Sequence, residues 1–159
     1  MFPTKTKVLS IKQAVKWRAG QRRKGLTVAF TNGCFDILHR GHVRIIESAR
    51  KTADSLIIGL NSDASVKRLK GPERPLNSQD DRAVVLAALA AVDRVVIFQE
   101  DTPLELLSAL KPDVLVKGAD YSHEKIVGRE FAGKTVRVPL VKNRSTTLVI
   151  SKMRKNAKV

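Results

Sequence analysis

The sequence is poor in cysteine and aromatics: Cys34 stands alone in 159 residues, beside one Trp, one Tyr and five Phe. One cysteine closes no internal disulfide, which excludes a small stapled scaffold. No apolar run approaches the ~18 residues of a membrane span, and no charged-then-apolar start suggests a secretory signal, so the expected location is cytoplasmic. The nine glycines are scattered, giving neither P-loop spacing nor G-x-G-x-x-G. A phosphate cradle here must be built another way.

Acid is missing from both ends of the chain. Residues 1–25 carry eight Lys or Arg and no Asp or Glu, and residues 141–159 carry six and none; residues 26–140 hold 16 bases against 15 acids. The net charge of +15 therefore belongs to the termini, and the middle of the chain is nearly neutral. With 43% apolar residues, the chain reads as one domain over residues 1–159, with basic terminal segments 1–25 and 141–159. A domain of this size buries roughly 70% of its unfolded surface.

Short β-branched runs alternate with helical patterns. Leu26–Thr31, Ser55–Leu60, Arg94–Phe98, Val114–Lys117 and Thr135–Val141 are near-continuously apolar, as strands covered on both faces must be. Thr102-Pro103-Leu104-Glu105 carries helix-start chemistry, and Ser78 with Asp81 repeats it. The alternation predicts an α/β fold: a Rossmann-like, doubly wound, parallel five-stranded sheet, with a helix near Ile11–Arg22 packed outside it.

Ligands of such sheets sit beyond the carboxyl ends of the strands. The first strand is followed by Thr31-Asn32-Gly33-Cys34-Phe35-Asp36 and His39-Arg40-Gly41-His42, the second by Asn61-Ser62-Asp63, the fourth by Lys117-Gly118-Ala119-Asp120-Tyr121, and the fifth by Asn143-Arg144-Ser145-Thr146-Thr147. All four clusters are expected on one rim. A helix starting near His39 aims its first N–H groups and its dipole's positive end into that crevice, where phosphate binds well. His39 and His42, at i and i+3, share a helix face, Gly41 between them keeps the approach open, and imidazoles can donate to phosphate oxygens. Cys34, His39 and His42 also number enough for a metal, but the paired-cysteine spacing of structural zinc sites is missing.

G-C-F-D-I-L-H-R-G-H at Gly33–His42 resembles the H-x-G-H signature of the nucleotidyltransferase superfamily, and Ser145-Thr146-Thr147 its second nucleotide-binding motif. The stretches Asn61–Pro75, Glu100–Leu107 and Val114–Tyr121 are similar to D-glycero-β-D-manno-heptose 1-phosphate adenylyltransferases, and the likeness runs from about Leu26 to Met153. Ala119 and Asn143 stand where that family usually has Gly. The resemblance implies transfer of AMP from ATP, with Mg²⁺, to a sugar 1-phosphate, giving ADP-heptose for lipopolysaccharide core synthesis. It also implies a homodimer. Related bifunctional proteins join such a domain to a sugar kinase; with only residues 1–25 ahead of the first expected strand, the kinase is expected as a separate chain.

On this reading His39, His42 and Lys70 are the catalytic candidates. Thr31, Asn32, Gly33, Cys34, Phe35, Gly41, Lys117, Arg144, Ser145, Thr146 and Thr147 bind nucleotide. Asp36, Asn61, Asp63, Arg74, Arg82, Asp120 and Tyr121 face the second substrate. Each has a plainer structural account: Asp36 as an acceptor for loop amides, Arg82 as the partner of Asp80 or Asp81, Cys34 as a packing residue. Two rival functions stay open, a cytidylyltransferase acting on glycerol phosphate or a similar alcohol phosphate, and a polyanion-binding module built on the basic termini. Aromatics are too few for a single-strand stacking platform, so nucleic acid is not expected as a partner.

Overall fold

A computed structural model describes residues 4–119, 126–139 and 146–156. Its elements run α1 Thr4–Lys7, β1 Val8–Leu9, α2 Ile11–Arg23, β2 Val28–Gly33, α3 Arg40–Arg50, β3 Ser55–Asn61, α4 Asp63–Lys70, α5 Gln79–Ala88, β4 Arg94–Phe98, α6 Leu104–Leu110, β5 Val114–Gly118, β6 Lys134–Val138 and α7 Thr146–Asn156. The six strands are ordered β1-β4-β3-β2-β5-β6, and every described pairing is parallel.

All five strands expected from the apolar runs are present. The sixth, β1, is a two-residue edge strand on β4, pairing Val8 with Val95 and Leu9 with Val96. It is too short to leave a period of its own in the sequence. The last strand ends at Val138 because Pro139 has no N–H to continue the ladder. The Thr102 capping expectation is not met either: Pro103 occupies the cap position of α6, with no side-chain cap hydrogen bond. Ser78 does cap α5, its hydroxyl accepting from the Asp81 N–H.

Helices cover both faces. Ile46 and Ala49 of α3 and Ala83, Leu86 and Ala87 of α5 bury against Ala29, Leu56, Ile58, Leu60, Val95 and Val114. On the other face Ala14 of α2 and Leu106, Leu107 and Leu110 of α6 bury against Val28, Phe30, Ile57, Val96 and Leu115. All seven residues of β3 are buried, and each large aliphatic there contributes roughly 2–3 kcal/mol through burial. In β2 the run is buried through Thr31 and opens to half-buried Asn32 and Gly33. The strand turns polar where it leaves the sheet, and that end is the rim.

Candidate active site

The order of the sheet reverses between β2 and β5, so the crevice over their carboxyl ends is the place an open parallel sheet offers a ligand. Asn32 Oδ1 accepts a hydrogen bond from Lys117 Nζ across this gap, tying the two strand ends together. Beyond Gly33 the chain turns sharply, with Phe35 in left-handed backbone at φ 45°. Bulky residues avoid that region unless packing holds them there. The buried Phe35 ring supplies the packing: it folds back over Gly33, where an added Cβ would lie 3.2 Å from Cε2.

That turn delivers His39 to the N-cap of α3, where its Nδ1 accepts the Gly41 N–H at 3.1 Å. In the neutral ring the proton then sits on Nε2, making it a donor. His42, in the first turn, stacks on His39 with ring centroids 3.9 Å apart and 24° between planes; Phe35 closes on it at 5.1 Å. Burial, with His39 beside it, pushes His42 down to about 4, and its Nδ1 is buried without a protein partner. Two imidazoles thus meet at a helix N-terminus, one of them held neutral near pH 7. Among the described residues no group of three or more His, Cys, Asp or Glu is arranged to hold a metal ion.

A second layer holds this loop. The Asp36 carboxylate, with its side chain fully buried, accepts from Arg74 Nε at 2.6 Å, from the Leu76 N–H at 2.9 Å and from the Asn77 N–H at 3.0 Å. Burial alone would raise this acid; the Asn77 and Leu76 amides and Arg74 outweigh it, and its pKa is lowered. Buried Arg82 donates to Cys34 O at 2.5 Å, Asn61 O at 2.9 Å, Asn77 O at 3.1 Å and Asp63 Oδ1 at 2.7 Å. Its ion pair is with Asp63, not with Asp80 or Asp81 as its sequence neighbourhood suggests. Asn61 Nδ2 donates to Ser65 Oγ at 3.0 Å. Finally, the first residue of α7 reaches the loop after β2: Thr146 Oγ1 donates to Ile37 O at 3.3 Å across 109 sequence positions.

The profile of the family described as cytidylyltransferase-like matches residues 30–156, which takes in most of β2, the histidine pair and α7. The chain belongs to the cytidylyltransferase-like family. It is similar to the bifunctional protein HldE of Mesorhizobium japonicum, 55% identical over 154 residues, covering 94% of this chain and 31% of that protein. The HldE of Paramagnetospirillum magneticum is 59% identical over 139 residues, covering 85% of this chain and 28% of that protein. The chain thus spans about a third or less of these relatives' lengths. Among solved structures, a lipopolysaccharide core biosynthesis protein from Thermoplasma volcanium is 28% identical with a TM-score of 0.59, covering 76% of this chain and 100% of that one. Pantoate-β-alanine ligase from Francisella tularensis, 18% identical with a TM-score of 0.63 over 96% of this chain and 78% of its own, shares the fold.

On this cytidylyltransferase-like frame, Thr31, Asn32, Gly33, Cys34, Phe35, Asp36, His39, Gly41 and His42 lie on one continuous segment that runs from the end of β2 through the turn into the start of α3, with Thr146 beside it. Lys70, at the exposed end of α4, and Arg74 and Arg82 bring positive charge near Cys34, but burial dominates and raises that thiol. Thr147 is exposed on α7. Asp120, Tyr121, Arg144 and Ser145 lie outside the described residues. Ala119 is accommodated: its N–H donates to Val138 O at 2.9 Å. Two contributors were not singled out from sequence. Asn77 donates through Nδ2 to Asp36 O at 2.7 Å, and Gln79 Oε1 accepts the Asp63 N–H at 3.0 Å. Both lie just beyond the Asn61–Pro75 stretch that carries the resemblance, so their only signal was polarity before a helix.

Proposed function

We propose that this chain transfers AMP from ATP to D-glycero-β-D-manno-heptose 1-phosphate, giving ADP-heptose and pyrophosphate. The observation that carries the reading is the stacked His39–His42 pair at the N-terminus of α3, set at the β2/β5 switch with the start of α7 against the same loop. The substrate is chosen by likeness to the HldE proteins over some nine-tenths of the chain. The sugar 1-phosphate comes from a kinase reaction, and the cytoplasmic homodimer is the working assembly. Among the described residues no helix is long and apolar enough to cross a membrane.

An oxygen of the acceptor phosphate attacks the α-phosphorus in line; that bond forms as the bond from the α-phosphorus to the bridging oxygen breaks, and pyrophosphate leaves with the electron pair. A phosphate monoester is largely ionised at neutral pH, so no general base is required. The task is positioning and stabilisation of charge on the transferring group. The Nε2–H of His39 and the neutral ring of His42 provide donors for it, at the positive end of the α3 dipole. ATP enters as its Mg²⁺ complex. Bound with ATP, the ion would supply neutralisation of the phosphate charge.

Pyrophosphate release with Mg²⁺, ATP or CTP, and a panel of sugar and alcohol phosphates tests the reading. Turnover with ATP and the heptose 1-phosphate, lost in His42→Ala with ATP affinity retained, is expected. Preference for CTP with glycerol phosphate would replace it, as would salt-sensitive binding of RNA with no turnover.

A further inference from the structure

Arg74 is an unusual arginine for a loop. Its side chain is only 15% exposed, and its Nε is fixed on a carboxylate that is itself fully buried. Among the described residues no hydrogen bond engages its two terminal amino groups, while Arg82 nearby spends both of its own on carbonyls and Asp63. A guanidinium held by Nε leaves its terminal nitrogens in one fixed plane, the geometry that suits a phosphate. Asp36 fixes more than the guanidinium: it takes the amides of Leu76 and Asn77 as well, so the whole segment bearing Arg74 is pinned to the histidine loop.

Resting on the proposed reaction, we infer that Arg74 binds the phosphate of the sugar 1-phosphate, and that Asp36 touches no substrate but is the positioning residue that holds Arg74 for it. The placement fits. Asp36 lies in the turn that leads to His39, and Arg74 lies close enough to Cys34 to act on its thiol, so the acceptor phosphate is brought up beside the loop that handles the triphosphate. Asp36 also cannot serve both masters. Its oxygens already accept from one side-chain and two backbone donors, and a carboxylate facing an incoming phosphate directly would repel it.

The test is a double-mutant cycle read separately for each substrate. Arg74→Lys keeps the charge and loses the planar fork; it is expected to raise KM for the sugar 1-phosphate tenfold or more, with KM for ATP changed less than threefold. Asp36→Asn should act in the same direction, because its amide group presents a donor where Leu76 and Asn77 also donate. The double variant should be no worse than Arg74→Lys alone, since one residue works through the other. Additive losses, or equal loss for both substrates, would overturn the assignment. Two readouts do not need turnover. Amide exchange at Leu76 and Asn77 should quicken in Asp36→Asn and stay slow in Arg74→Lys. In calorimetric titrations with inorganic phosphate, Arg74→Lys should weaken binding at least fivefold while leaving ATP binding intact. Unchanged phosphate binding would defeat the role of Arg74 even if a different sugar phosphate proved to be the acceptor. Lack of turnover by the wild-type chain, with the phosphate result upheld, would defeat only the proposed reaction.

Discussion

The His42 environment sets a stability cost that depends on pH. Its pKa falls from an ordinary 6.5 in the unfolded chain to about 4 in the fold, through burial and the neighbouring His39. The folded state therefore resists a proton the unfolded state accepts, so this contribution is intact above pH 6.5 and erodes as pH falls toward 4. At one pH unit per 1.36 kcal/mol, the loss is about 2 kcal/mol at pH 5 and about 3 kcal/mol once both states are protonated. Replacing His42 by Asn, which cannot take the charge, should remove this slope. Urea unfolding of both proteins at pH 7, 6 and 5 measures it, and the difference between them cancels the carboxylates they share. Wild-type stability should drop by about 2 kcal/mol more than that of the variant between pH 7 and 5. Parallel curves would show that the ring is neither desolvated nor pressed by its neighbour, and the reading of His42 as a neutral donor would fall.

Arg82→Ala removes the donor shared by Cys34, Asn61, Asn77 and Asp63; about 3–5 kcal/mol should be lost, seen as a fall in Tm of roughly 10 °C. An unchanged Tm would mean the four acceptors find other partners cheaply. At Gly59 of β3 an added Cβ would sit 2.6 Å from Phe30 Cζ and 3.1 Å from Asn32 Cβ, so Gly59→Ala should cost about 1–3 kcal/mol and loosen the strand end that carries Asn32. Denaturant unfolding checks the first effect and Asn32 amide exchange the second.

What could be read from sequence follows from what leaves a periodic or chemical trace. The four inner strands β2, β3, β4 and β5 are near-continuous apolar runs because both of their faces are covered, whereas the edge strand β6 is half-exposed with Lys134 and Arg137 in it, against the expectation of two covered faces. The rim clusters stand out because polarity begins abruptly at Asn32, Asn61 and Lys117. His39 and His42 were legible as a pair from spacing alone. Their stacking was not, since it depends on Phe35 entering left-handed backbone and folding over Gly33, a choice packing makes against local preference. Asp36 and Arg82 were visible as charges on the rim, but their partners lie far off in sequence, and nothing in a linear pattern says that a charge is consumed by the fold. The edge strand Val8–Leu9 is set by what β4 leaves unpaired, not by its own two residues.

The claim on which the rest stands is that one triphosphate lies between the paired imidazoles and the start of α7. A crystal structure of the chain with a non-hydrolysable ATP analogue measures this directly. Phosphate oxygens within hydrogen-bond reach of His39 and His42 at the start of α3, with Thr146 on the other side, are expected. Nucleotide bound elsewhere, with this crevice filled only by solvent, would contradict the account.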